Sequence, residues 1–204
     1  ETGTIHGIVG ENGAGKSTLM SILYGFYVPD EGSINVFGEP LQFNSSQKAI
    51  EAGIGMVHQH FMLADNLTVL ENIILGSEPA NRGVIDIRSA RSRLNELMAS
   101  VGTELDLDTE VSELGVGERQ RVEILKVLFR GAQILILDEP TAVLVPDEVD
   151  ELFDTLKRLV ADGATVIFIS HKLDEVLQVS DDITVMRQGT TVAHTTPAQI
   201  DRSG

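Results

Sequence analysis

The feature that most constrains this chain is a glycine-rich stretch at residues 10–18, which reads GENGAGKST. It has the Gly-x-x-x-x-Gly-Lys-Ser spacing of a phosphate-binding loop, and it follows an apolar run at 5–9 that predicts a buried strand. Glycines let the backbone approach phosphate oxygens closely, so that amides and a helix N-terminus can point at the anion. The stretch therefore predicts a nucleotide site. The competing interpretation is a glycine-rich turn that caps the next helix.

Two side chains of this phosphate loop carry specific expectations. Lys16 can reach the β- and γ-phosphates of a nucleoside triphosphate. Ser17 would place its hydroxyl on Mg²⁺, the usual companion of such a nucleotide. The residues expected to contact nucleotide here are Gly10, Asn12, Gly13, Ala14, Gly15, Lys16, Ser17 and Thr18.

Composition limits the possible partners. The 204 residues correspond to one large domain, and their formal charge of -16 argues against nucleic acid or an anionic lipid surface as a broad partner. Local basic groups must therefore bind the phosphates. The chain has no cysteine, which excludes a thiolate metal site and is compatible with a reducing cytoplasm. No apolar run approaches the roughly 20 residues that span a bilayer.

Polar residues follow three further apolar runs that predict strands. Gln59 comes after the run at 54–57, the pair Asp138 and Glu139 after 134–137, and His171 after 165–169. The carboxyl ends of strands are where α/β sheets bind ligands, and two carboxylates at the end of a buried strand are costly without partners. These residues are therefore candidates for the same site as the phosphate loop.

Each candidate also has a structural interpretation. The acidic pair could cap the next turn, His171 could be a structural histidine, and Gln59 alone could be a surface residue. His58 and His60 alternate as strand residues do and lack an evident third ligand, so no metal site is expected there.

The remaining pattern predicts the fold class. Amphipathic helices that alternate with strands specify a mostly parallel α/β sheet, and turn signals around 33–40 predict a small antiparallel part. Residues 63–131 look mostly helical, with helix starts at Thr68 and Asp86. A second glycine-bearing helix start near Gly117 offers another anion-binding N-terminus.

The order of these motifs resembles the ATPase domain of ABC transporters. The resemblance rests on the phosphate loop, Gln59, the stretch LGVGE at 114–118, the acidic pair and His171, and it covers essentially the full chain. It implies a P-loop NTPase fold of ABC-ATPase type. Residues 1–204 would form one domain, with a helical subdomain inserted at about 63–131.

The resemblance also implies roles for individual residues. Asp138 would hold Mg²⁺ together with Ser17 and Gln59, and Gln59 would sense the metal and the γ-phosphate. Glu139 would act as general base on the attacking water, and His171 would stabilise the γ-phosphate. These roles suit phosphoryl transfer, in which charge placement and water alignment carry most of the catalysis.

Within the family, the stretches at 56–63, 121–126 and 138–144 resemble the ATPases of bacterial simple-sugar and nucleoside importers, in particular the first of two ATPase halves. This implies ATP hydrolysis that powers import through a membrane permease, by a peripheral protein on the cytoplasmic face of the membrane. A second ATPase domain would complete the site head to tail. The residues that would contact its nucleotide are Gly115, Gly117 and Glu118 of the signature stretch, 114–118.

Three departures from the family pattern bear on activity. Gly115 stands where the signature serine is expected, and Val145 replaces an expected aspartate. No aromatic residue precedes Gly10, where the family has an adenine-stacking ring, and the nine residues before Gly10 suggest a chain that begins inside a larger protein. Weakened ATP affinity is therefore expected. Two other functions stay open: a nucleotide-binding regulatory half with little hydrolysis, and a non-transport ABC ATPase.

Overall fold

The computed structural model describes residues 2–41, 45–81 and 83–200. A six-stranded sheet runs through this part of the chain. Its strands, in spatial order, are β10 (Thr190–Thr195), β9 (Asp182–Arg187), β1 (Ile5–Val9), β8 (Thr165–Ser170), β7 (Ile134–Asp138) and β4 (Ile54–Val57). All neighbours pair parallel except β9 and β10, which form an antiparallel hairpin. The predicted mostly parallel α/β fold with a small antiparallel part is confirmed.

Two small hairpins lie outside this sheet. The first joins β2 (Ile34–Val36) to β3 (Glu39–Leu41), and its chain reversal is at Phe37 and Gly38, both with positive φ. The sequence predicted this turn at 38–40, and the structure instead gives Glu39 and Pro40 to β3. The second hairpin joins β5 (Ala80–Asn81) to β6 (Val84–Ile85) and was not predicted, because two-residue strands leave no periodic pattern.

The described ranges contain seven α-helices, namely α1 (Lys16–Leu23), α2 (Ser46–Glu51), α3 (Val69–Ile74), α4 (Ile87–Val101), α5 (Val116–Phe129), α6 (Pro146–Ala161) and α7 (Leu173–Val179), and two 3-10 helices, Val111–Glu113 and Pro197–Gln199. The predicted caps of the third and fourth are present. Thr68 and Glu71 form a reciprocal capping box, and the Asp86 carboxylate accepts the N–H of Ser89. The short helices α2 and α7 were not predicted.

The core has two parts, one on each face of the sheet. Leu135 and Leu137 of β7 belong to the cluster that includes residues of α3, α4, α5 and α6. Ile136, between them, belongs to the cluster with α1 and α2. This alternation explains the continuous apolar run of β7, since a strand covered on both faces needs apolar residues at every position.

The parallel order places the carboxyl ends of β1, β8, β7 and β4 side by side at one edge of the sheet. The phosphate loop, Gln59, the pair Asp138 and Glu139, and His171 each lie at the end of one of these four strands, whereas the signature stretch at 114–118 does not. In the described ranges, no helix combines the length and the apolar content needed to cross a membrane.

Candidate active site

The phosphate loop connects β1 to α1 and has the backbone that its glycines allow. Gly13 and Gly15 have φ of 83° and 96°, in the left-handed region that side chains disfavour. Gly10 is required for a different reason, because a Cβ there would lie 2.4 Å from the carbonyl oxygen of Met186. The loop is therefore a backbone cradle at the N-terminus of α1, the geometry that binds anions.

This loop forms one wall of a cavity of about 460 Å³. The residues that line it are Asn12, Gly13, Ala14, Gly15, Lys16, Ser17, Thr18, Gln59, Glu139 and His171. The structure thus brings together the phosphate loop and the residues that follow three neighbouring strands. Their convergence is a consequence of strand order, since these residues lie up to 159 positions apart in the chain (171 − 12).

Lys16 is buried in the loop, with an exposed fraction of 6%. Its Nζ donates to the carbonyl oxygens of Gly10 at 2.7 Å and Glu11 at 3.3 Å, and it lies 3.9 Å from Glu139 Oε1. A buried ammonium must be paired or hydrogen-bonded, and these oxygens satisfy it. An entering phosphate would offer it a stronger, charge-assisted partner at the same place.

Glu139 and His171 form a hydrogen-bonded pair that also lines the cavity. His171 Nδ1 lies 2.8 Å from Glu139 Oε2, and Glu139 is 13% exposed whereas His171 is 48% exposed. The backbone of Glu139 has φ of 51°, and its N–H donates to the carbonyl of Ile169 at 3.0 Å. A non-glycine residue in this region carries about 1–2 kcal/mol of strain, which the surrounding bonds must hold. Glu139 is therefore held in place by hydrogen bonds of both its backbone and its side chain.

Asp138 lies at the end of β7, beneath the loop. Burial raises the pKa of its carboxyl group, the Ser17 hydroxyl opposes this as a hydrogen-bond partner, and the Glu139 charge adds to the rise. Its Oδ1 is buried with no hydrogen-bond partner among the described residues. Mg²⁺ is commonly bound through one or two carboxylates together with substrate phosphates. An unpartnered carboxylate oxygen beside a serine hydroxyl and a phosphate loop fits that metal.

The signature stretch lies apart from this cavity. Glu118 Oε2 accepts the N–H of Gly115 at 2.8 Å, and the N–H of Gly117 donates to Glu148 Oε1 at 3.1 Å. Gly115, Gly117 and Glu118 were predicted to contact nucleotide, and within one chain the structure does not bring them to the phosphate loop. Their polar groups are bound inside their own chain.

Two supporting carboxylates were missed in the sequence. Glu175 Oε2 accepts from Thr141 at 2.5 Å and from Ser170 at 3.3 Å, which ties the segment after Glu139 to the end of β8 beside His171. An acidic residue in the first turn of a helix that closely follows His171 was the available signal. The other is Glu148, whose role depends on a contact across 31 residues that no local pattern indicates.

His58, which directly precedes Gln59, packs against aromatic rings. The His58 ring stacks on Phe26 at 6.0 Å between centroids and meets Tyr24 edge-on at 6.3 Å. In residues 2–41, 45–81 and 83–200, no group of three or more histidine, aspartate or glutamate side chains is arranged to hold a metal.

The fold and the cavity define an ATP-binding cassette. The family model described as ABC transporter matches residues 1–142, and the chain belongs to this family. A solved structure of the dimeric, post-hydrolysis state of the cassette MJ0796, bound to ADP and Pi, superimposes with a TM-score of 0.80 at 26% identity, covering 97% of this chain and 87% of that one.

Two curated relatives are more similar in sequence. The glucose import ATP-binding protein TsgD13 of Haloferax volcanii is 47% identical over an alignment that includes 100% of this chain. The nucleoside import ATP-binding protein NupA of Lactococcus lactis is 50% identical over 93% of it. The chain spans 42% and 38% of the lengths of these relatives, respectively.

Proposed function

We propose that this chain binds and hydrolyses ATP and that hydrolysis powers import of a sugar or nucleoside through a membrane permease. The observation that carries the proposal is the convergence of the phosphate loop, Gln59 and the Glu139–His171 pair on one cavity. The names of the relatives TsgD13 and NupA support the solute class. The chain would act at the cytoplasmic face of the membrane as a peripheral subunit.

In this function the chain's own residues bind the phosphates, orient the attacking water and accept its proton. The loop amides and the α1 N-terminus bind the β- and γ-phosphates, and Lys16 exchanges its loop carbonyls for a phosphate oxygen. Glu139 orients the attacking water and accepts its proton, while His171 holds the Glu139 carboxylate and stabilises the γ-phosphate. Asp138, Ser17 and Gln59 would hold Mg²⁺, which supplies charge neutralisation on the phosphate oxygens when it is bound.

A second ATPase domain is the proposed partner besides the permease. Gly115, Gly117 and Glu118 lie outside the chain's own cavity, which supports a role at the nucleotide of another unit. The dimeric state of the MJ0796 cassette supports the same arrangement.

We propose that residues 1–204 form a single domain, with its helical part at about 63–131. The formal charge of -16 disfavours nucleic acid as a partner of this domain.

Calorimetric titration with Mg-ATP tests nucleotide binding. The wild-type chain is expected to bind, Lys16→Ala is expected to lose binding, and Lys157→Ala, which removes an exposed lysine of α6, is expected to bind as the wild type does. Equal binding by the Lys16 variant and the wild type would contradict the assignment of the loop.

Turnover tests hydrolysis and the composite site together. Specific activity should rise with protein concentration, because two chains would be needed for each site, and Glu139→Gln should abolish it. Activity that is independent of concentration would contradict a site shared between two units.

One observation favours the regulatory alternative, in which ATP is bound and barely hydrolysed. Gly115 carries no hydroxyl, and the Gly117 amide is already bound to Glu148. Under this alternative, wild type and Glu139→Gln would bind ATP and turn it over at the same low rate at every concentration.

A further inference from the structure

Glu123 is a buried carboxylate that the active site does not use. It lies on α5 with an exposed fraction of 4%, beside Val122 and Ile124 of the core. A buried carboxylate is costly unless it is hydrogen-bonded or paired. Its Oε1 accepts the backbone N–H of Met62 at 2.5 Å, although Met62 is 61 residues away in the chain.

Lys126 binds the other backbone group of the same residue. Its Nζ donates to the carbonyl oxygen of Met62 at 2.7 Å. Glu123 and Lys126 are three residues apart on a helix and therefore share one face. Burial lowers the pKa of Lys126, and the nearby Glu123 carboxylate partly opposes this shift. Together the two side chains hold the N–H and the C=O of Met62, and we call this arrangement the Met62 clamp.

The Met62 clamp anchors the segment that carries Gln59. Gln59 lies three residues before Met62, is exposed, and lines the cavity. The segment is also fixed just beyond the clamp, because Asn72 of α3 accepts the N–H of Ala64 at 2.8 Å and donates to its carbonyl at 3.0 Å. Gln59 thus lines the cavity three residues before a backbone that is hydrogen-bonded at both Met62 and Ala64.

The same helix reaches the signature stretch at its other end. α5 begins at Val116, directly after Gly115, and Glu123 lies seven residues further on, or about 10 Å along the axis. The helix start and the clamp therefore belong to one continuous helix. Two side chains and three residues of backbone connect this helix to Gln59.

We propose that Glu123 and Lys126 are positioning residues, which fix Gln59 relative to the signature end of α5 and so couple one nucleotide site to the other. The coupling rests on the proposed ATP hydrolysis, and the positioning of Gln59 rests on the contacts of the Met62 clamp. Neither residue touches substrate in this role.

Amide hydrogen exchange in the nucleotide-free chain tests the clamp. Glu123→Ala removes the acceptor and should accelerate exchange of the Met62 amide by about tenfold or more, the factor typical of a lost hydrogen bond to a charged group. Glu123→Gln keeps an oxygen acceptor of the same shape and should be intermediate, and it guards against misfolding of the alanine variant. Glu151→Gln, which removes the carboxylate paired with Arg121 of the same helix, is the matched control and should leave Met62 unchanged.

Unchanged Met62 exchange in Glu123→Ala, with exchange in β1 and β7 intact, would overturn the clamp. Turnover then tests the coupling. Glu123→Ala and Lys126→Met should lower kcat severalfold, while the Kd for Mg-ATP stays within about twofold because the phosphate loop is untouched, and Glu123→Gln should restore part of kcat.

Faster exchange with unchanged kcat would refute the coupling. The exchange measurement needs no nucleotide, so the clamp is decided independently of the proposed function. Absence of ATP turnover in the wild type would refute the proposed function, and with it the coupling.

Discussion

Replacing Val145 with threonine is expected to stabilise this chain by about 1 kcal/mol. Val145 is the N-cap of α6, and its side chain, 58% exposed, makes no capping hydrogen bond. Half of a capping box is already present, since Glu148 Oε2 accepts the N–H of Val145 at 3.1 Å. A threonine hydroxyl at 145 would accept the N–H of Glu148 and complete it.

The start of α3 supplies the geometry for this substitution. There Thr68 accepts the N–H of Glu71 at 3.2 Å while the Glu71 carboxylate accepts the N–H of Thr68 at 2.9 Å. Thr68 has φ -67° and ψ 164°, and Val145 has φ -79° and ψ 160°, so the backbone at 145 differs by 12° and 4° from a working threonine cap. No rearrangement is needed to place the hydroxyl.

The magnitude follows from these observations. N-cap substitutions change stability by about 0.5–2 kcal/mol, and an exposed valine that exchanges one methyl for a hydroxyl loses little burial. For a domain of this size, 1 kcal/mol corresponds to a rise in melting temperature of about 2–4 °C.

Thermal unfolding of wild type, Val145→Thr and Val145→Ala measures the effect. Valine and threonine have the same shape, so the difference between the wild type and Val145→Thr isolates the hydroxyl, and Val145→Ala shows the effect of removing the side-chain branches without adding an acceptor. A threonine variant that melts no higher than the wild type would refute the reasoning.

Three further substitutions have expected outcomes. Gly115→Ser should raise ATP turnover severalfold, and unchanged turnover would contradict a role for the hydroxyl. The melting temperature should shift by about 1 °C or less, because the φ of -65° at Gly115 suits serine and the added Cβ would lie 3.4 Å from Glu118 Oε2. Gly10→Ala should weaken Mg-ATP binding and destabilise the chain by about 1–3 kcal/mol, measured by calorimetry and urea unfolding, since its Cβ would collide with the Met186 carbonyl; wild-type values would show that the loop can shift. Burial lowers the pKa of His6 from 6.5, so the contribution of His6 to stability is full above about pH 6.5 and is lost as the pH falls further. The difference between the melting temperatures at about pH 7.5 and pH 5.5 should therefore be smaller for His6→Gln than for the wild type. An equal difference would contradict this assignment.

The sequence predicted those features whose signal is local. Thr68 and Asp86 start helices by contacts within three residues, and the phosphate loop has its required strand and helix on either side. The continuous apolar runs predicted the buried strands for the same reason, because a strand that is covered on both faces has an apolar residue at nearly every position. The two-residue strands β5 and β6 and the short helices α2 and α7 lack enough length to show a period, and they were missed.

The arrangement of the site depended on information the sequence does not display. The neighbours of Asp138 and the pairing of Glu139 with His171 follow from strand order, and the resemblance to a family assigned these residues to one site without giving that order. Glu148, Glu175 and Glu123 are acidic residues on helices, and nothing local separates them from solvated surface charges. Their importance lies in partners 31 to 61 residues away, namely Gly117, Thr141 and Met62.

The position of β1 in the sheet has a consequence for how the protein is made. β1 is hydrogen-bonded to β8 and to β9, with partners such as Ile5 and Val166 separated by 161 residues (166 − 5). Contacts of such separation form late and slowly, because the intervening chain must first be ordered. The phosphate loop therefore leaves the ribosome well before β8 and β9, and it gains these supporting strands only after the chain has been synthesised to about residue 187. Until then the nascent chain is expected to bind no ATP, and its exposed apolar strand is a natural target for chaperones.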